Sequence, residues 1–160
     1  MADYSHTEDV LNGLKDFIDD NFETYIDEIL SDKSNDYALP VPSSNDVIIG
    51  IRDPAHYDNY PVVFLVPTED VYDVLSMGTD VLEVTAAVWL AIAGYESSTM
   101  IKQIMRYGAA FRNMFRANFT LSNTVDEIST ETVTYYPEWE EGIDIQAVRV
   151  TVKIIKEINN

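Results

Sequence analysis

Apolar positions recur at every second residue from Leu82 to Ile92, then at every third or fourth from Met100 to Phe115. In the first stretch Leu82, Val84, Ala86, Val88, Leu90 and Ile92 alternate with a mixed set that includes Glu83, Thr85 and Trp89. Period-two alternation rich in Val, Thr, Trp and Ile predicts a long strand over residues 80–93, dry on one face and half polar on the other. A buried helix is the rival reading of so apolar a run, and the β-branched content weighs against it. Gly94 and Tyr95 interrupt the alternation, and Ser97 and Ser98 offer N-cap oxygens. Over residues 99–117 the spacing is helical: Met100, Ile101, Ile104, Tyr107, Gly108, Phe111, Met114 and Phe115 share one face. Lys102, Arg106, Arg112 and Arg116 fall in an arc on the opposite side. Gly108, in the middle of the apolar stripe, weakens the helix, which predicts close approach of another backbone there.

The same logic covers the rest of the chain. Residues 1–4 are a polar lead, Ser5 and Glu8 have capping-box spacing, and residues 6–30 read as an amphipathic helix. Its apolar side carries Val10, Leu14, Phe17, Ile18, Phe22 and Ile26; Asp16, Asp20, Glu23 and Asp27 crowd the other. A solvated face is the simple reading of those acids. The sharper one pairs them with the basic arc of the second helix, within one chain or between neighbouring copies. Residues 31–46 form a linker with Pro40 and Pro42, too short to divide the chain into domains. Short strands are expected at 47–52 and 60–66, the second stopped by Pro67. Residues 68–79 fit either one helical turn or a strand pairing with 80–93 through a Met77-Gly78-Thr79 turn. Strand patterns return at 126–136 and 145–155, joined by the turn Pro137-Glu138-Trp139-Glu140-Glu141-Gly142, and Asn159 and Asn160 read as frayed. The sum is a single α+β domain: a mixed, mostly antiparallel sheet of four to five strands with two helices packed on one face. The half-polar second face around Trp89 is then left for a partner subunit.

Charge alters this picture more than composition does. A formal net charge of −18 opposes free binding to nucleic acid, which needs positive surface to displace counterions, and disfavours anionic membranes. A hydrophobic content of 46% is too high for a disordered chain, and no apolar run reaches bilayer length. The first residues lack the basic-then-apolar order of an ordinary secretory signal. Cysteine is absent, so neither disulfides nor thiolate chemistry arise.

Catalytic candidates are few. Asp53, His56 and Asp58 share a loop, but nothing nearby completes a metal-ligand set, and a loop histidine without a role is the simpler reading. Glu138, Glu140 and Glu141 around Trp139 resemble the carboxylate pair of a glycosidase, yet charged residues in an exposed turn account for them more simply. No G-x-S-x-G, Walker A or G-x-G-x-x-G motif occurs. Neither an enzyme activity nor a cofactor is expected.

The order of elements, the strand Y-P-V-V-F-L-V at 60–66, the strand L-E-V-T-A-A-V-W-L-A-I-A at 82–93 with its following helix, and the closing Y-Y-P-E-W-E-E-G-I-D-I-Q-A-V-R-V-T-V at 135–152 resemble the tail terminator (tail completion, neck) proteins of tailed bacteriophages. The resemblance runs over about residues 8–155. It implies a virion structural protein assembled in the host cytoplasm: a homo-oligomeric ring, commonly a hexamer, that caps the tail tube, halts its polymerisation and joins it to the head-side connector. Genomic DNA would pass through such a ring without sequence-specific binding, and like charge would keep it from adhering. Lys102, Arg106, Arg112 and Arg116, with Asp16, Asp20, Glu23 and Asp27, are then candidates for subunit contacts. Glu138, Trp139, Glu140 and Glu141 are candidates for contact with tube or connector. Two other classes compete: a different phage connector, head-closure or tail-tube subunit, and a small acidic metal- or ligand-binding module built on the 53–58 loop.

Overall fold

Residues 6–33, 37–50, 53, 57, 59–139 and 144–159 are described by the computed structural model. Helix α1 (His6–Asp32) and a short 3-10 turn (Ser44–Asp46) precede strands β1 (Val47–Ile49), β2 (Val62–Ser76) and β3 (Thr79–Ala93). Helix α2 (Ser97–Ala117), β4 (Glu127–Tyr136) and β5 (Ile145–Asn159) follow. The strands form one sheet in the order β1-β2-β3-β5-β4. β1 runs parallel to β2, and every other neighbouring pair is antiparallel. This is the expected α+β fold with a mixed, mostly antiparallel sheet.

Alternation decides which face meets the helices. Leu82, Val84, Ala86, Val88, Leu90 and Ile92 of β3 share one buried cluster with Val148, Val150, Val152 and Ile154 of β5 and the apolar stripes of both helices. The registers Val88↔Val150 and Val63↔Leu90 keep that face continuous from β2 to β5. Phe22 of α1 stacks on Phe111 of α2 with ring centroids 4.1 Å apart, which clasps the helices together over the sheet.

Several local expectations need correction. Pro67 does not end the second strand. β2 runs through it to Ser76, with a register shift between Pro67 and Glu69 that accommodates a residue unable to donate to the ladder. Residues 68–79 are therefore the strand-and-turn alternative: β2 and β3 form one long hairpin whose turn holds Gly78 at φ 87. Ser97 and Ser98 do not cap α2. Glu96 occupies the N-cap without a side-chain cap bond, and Ser98 Oγ instead donates to Glu96 Oε1 at 3.1 Å. Asn159 is not frayed; it pairs with Thr79, whose hydroxyl donates to its side-chain oxygen at 3.3 Å. At Gly108 the nearest atoms are side-chain atoms of the sheet: a Cβ there would lie 3.1 Å from Val133 Cγ1 and 3.2 Å from Val148 Cγ2. Ser5, Ile51, Arg52 and Asn160 fall outside the described residues.

The linker is fastened to α2. Tyr107 Oη donates to the Pro40 carbonyl at 2.6 Å, Gln103 Nε2 donates to the Ala38 carbonyl at 2.8 Å, and Leu39 is buried in the core. Burial pushes the Tyr107 phenol far above the ordinary tyrosine value of about 10. The folded chain thus keeps a proton that the unfolded chain releases above about pH 10, so the phenol's contribution is complete below that pH and declines above it. Tyr107→Phe should cost about 1–2 kcal/mol at neutral pH by removing the donor to Pro40. In urea titrations the wild-type advantage over this variant should shrink between neutral pH and about pH 11. An advantage constant across that range would contradict the assignment.

Candidate assembly surfaces

The basic arc of α2 divides into two halves with different neighbours. Lys102 Nζ donates to Tyr37 Oη at 2.9 Å, and the guanidinium carbon of Arg106 lies 4.8 Å from the centre of the Tyr37 ring. These two cations hold the linker. Arg112 and Arg116, one helical turn apart on the C-terminal half of α2, are exposed. They line an open groove of about 650 Å³ whose opposite wall is β4, from Ile128 to Val133 and Tyr135, with Phe119 at its end. Phe119 and Tyr135 are exposed large rings, so the groove combines apolar walls with two unburied guanidinium groups.

On α1, Asp16, Asp20, Glu23 and Asp27 are all exposed. Among the described residues none of them forms an ion pair with the α2 cations. The within-chain pairing of acidic and basic helix faces is therefore absent there. The acid that is used locally is Asp19, which accepts from Lys15 Nζ at 2.8 Å and from Ser44 Oγ at 3.3 Å, tying α1 to the 3-10 turn.

The second face of the sheet is not open at Trp89. Its ring meets Tyr136 at 5.1 Å and Trp139 at 5.6 Å between centroids, and the Arg149 guanidinium carbon sits 5.4 Å from its ring centre. Trp139 is half-buried in this cluster and its backbone N–H donates to the Ile145 carbonyl at 3.3 Å, so it serves its own fold. Glu138 is exposed, while Glu140 and Glu141 lie outside the described residues. Asp53 is exposed, and His56 and Asp58 lie outside the described residues. Among the described residues no group of three His, Cys, Asp or Glu side chains is placed to hold a metal ion. No described helix is long and apolar enough to cross a membrane.

The hairpin of β2 and β3 presents a further surface, tied to α1 by the Thr7 hydroxyl, which donates to Asp70 Oδ2 at 2.6 Å. Among the described residues β1 pairs with β2 from Val63 to Leu65 and no further, and every residue from 67 to 78 is exposed. Tyr72 is 53% exposed, Leu75 62% and Val74 76%. Apolar side chains on a hairpin whose edge carries no strand among the described residues are the kind of surface that can pair with another chain. Glu69, Asp70, Asp73 and Asp80 alternate with them, and no Lys or Arg occurs between Arg52 and Lys102. The arm is thus apolar and wholly acidic. The signal available in the sequence was this same mixture, an apolar run that never settles into a buried period. A scan against protein-family models and a search of curated proteins return no match for the chain.

Proposed function

We propose that the chain is a virion structural protein, a tail terminator that assembles into a ring on the end of a phage tail tube, stops its growth and meets the head-side connector. The observation that supports the reading is the exposed apolar hairpin arm beside a closed core: the helices and sheet bury one another within one copy, yet Tyr72, Val74 and Leu75 stay exposed. The resemblance of the element order and of the 135–152 segment to tail terminators adds the particular assembly. A net charge of −18 fits a conduit for DNA, since like charge around the lumen opposes adhesion. A related connector or tail-tube subunit is the second reading, favoured by the same arm.

Negative-stain images of the purified protein, alone and added to growing tail tubes, separate the two readings. A terminator is expected to give discrete rings with a central hole and to shorten the tubes. Long tubes formed by this chain alone would instead identify a tube subunit, and tubes growing undisturbed in its presence would defeat the terminator reading.

A further inference from the structure

The sheet ends in two unlike edges. At one side stands the β2 arm, acidic and apolar; at the other stands β4, with the groove of Arg112 and Arg116 along its helix-facing side. We infer that the arm of one copy docks beside β4 of the next, extending the sheet from copy to copy. The inference rests on the reading that this chain assembles with itself, and it names the two surfaces that do so.

Direction supports the pairing. β2, β3, β5 and β4 are antiparallel at each step, so β2 and β4 of one chain run in opposite senses. A second copy set alongside in the same orientation therefore brings its β2 antiparallel to β4, and both copies keep their helices on the same side. Reach is also adequate. β4 has 10 residues, and the free stretch of β2 from 67 to 76 is of similar extent, roughly 33 Å for each. Through the ladder, Tyr136 lies level with Val62, by way of Ala147 and Ala91. A stagger of about five residues between copies sets the free part of β2 along β4 and clear of β1; closed sheets carry such a stagger.

Side-chain chemistry matches on the face that the groove occupies. Beyond the register shift, Asp70 and Tyr72 pair with Val84 and Leu82, which places them on the helix side of the sheet. On that stagger Asp70 comes level with Val133 and Val74 with Ser129, so this side lies under Arg112 and Arg116 with Val74 toward Phe119. Within its own copy Asp70 also accepts from Thr7 Oγ1 at 2.6 Å. The contact is head-to-tail, using different surfaces on its two partners, and it gives a ring if the rotation closes.

Two exposed-surface variants test this by complementation in sedimentation experiments. Tyr72→Asp with Val74→Asp removes the arm's apolar contact and leaves the groove; Arg112→Glu with Arg116→Glu reverses the groove and leaves the arm. Each variant alone is expected to be monomeric where the wild type is oligomeric. Mixed in equal amounts they should form a dimer that grows no further, because the pair retains one intact contact. Circular dichroism and thermal melting establish that both remain folded. Either variant keeping the wild-type mass, a mixture that stays monomeric, or a wild type monomeric at every concentration would overturn the inference. Rings that persist in both variants would sink this contact and leave the terminator reading standing. Open filaments of the wild type that these substitutions dissolve would do the reverse.

Discussion

Phe111→Ala is expected to lower the unfolding free energy by about 3–5 kcal/mol, the largest loss from any single truncation argued for this fold. Phe111 is fully buried, its ring stacks on Phe22 at 4.1 Å, and Phe115 follows at 6.2 Å between centroids. Phe22 belongs to α1 and Phe111 to α2, so truncation opens a void where the helices clasp each other above the sheet. Leu14, Ile18 and Ile104 of the same buried cluster are themselves fully buried, so the core has little slack with which to refill it. Against a domain stability of about 5–15 kcal/mol, such a loss brings the chain close to its unfolding threshold. Urea denaturation should show a large fall in midpoint with little change in slope. Phe111→Leu, which keeps most of the volume, should cost far less. A small effect of Phe111→Ala would mean that the two helices are held by the sheet alone.

The parts of the fold fixed by periodicity were legible. The alternation from Leu82 to Ile92 appears in the buried cluster residue for residue, and so does most of the helical stripe from Met100 to Phe115, with Ile101 only packed against the cluster and Ala110 added to it. Local punctuation misled where tertiary structure could absorb it. Pro67 normally stops a strand, but at a sheet edge with a register shift the missing N–H costs nothing, so β2 continues. The pairing of Asn159 is invisible along the chain, because nothing in its neighbours says that β3 begins opposite it at Thr79.

The surfaces were harder, for a reason that concerns partners more than patterns. Lys102, Arg106, Arg112 and Arg116 form one arc on a helical wheel, and only the path of the linker separates them, because it brings Tyr37 to the first two. Trp89 reads as spare apolar surface until Tyr136, Trp139 and Arg149 are known to gather around it from β4, the turn and β5. Both are long-range facts. The hairpin arm differs in kind: its apolar residues were visible, but their exposure was not, since an exposed Val-Tyr-Asp-Val-Leu run has the composition of a core strand.

Gly108 links the core to the groove, and its substitutions separate two effects of opposite sign. Alanine in place of a mid-helix glycine gains about 1 kcal/mol of helix propensity. Here the added Cβ meets Val133 Cγ1 at 3.1 Å, Val148 Cγ2 at 3.2 Å and Tyr135 Cε1 at 3.4 Å. Val133 and Tyr135 belong to the edge strand β4, the first half-buried and the second exposed, so they can yield by a few tenths of an ångström; Val148 is in the closed core and cannot. The gain and the squeeze should nearly cancel, leaving Gly108→Ala within about 1 kcal/mol of wild type. Gly108→Leu has no such balance. Its extra methyl groups must enter the space already held by Val148 or push β4 away from α2, at about 2–3 kcal/mol. Because Val133 and Tyr135 also line the groove beside Arg112 and Arg116, the displacement should reach the surface. Thermal unfolding reads the first consequence and sedimentation the second: Gly108→Ala should melt near wild type and assemble, whereas Gly108→Leu should melt lower and assemble poorly even at temperatures where it is folded. Normal assembly by a folded Gly108→Leu chain would show that the groove wall tolerates displacement, and would detach the packing of α2 on β4 from the contact between copies.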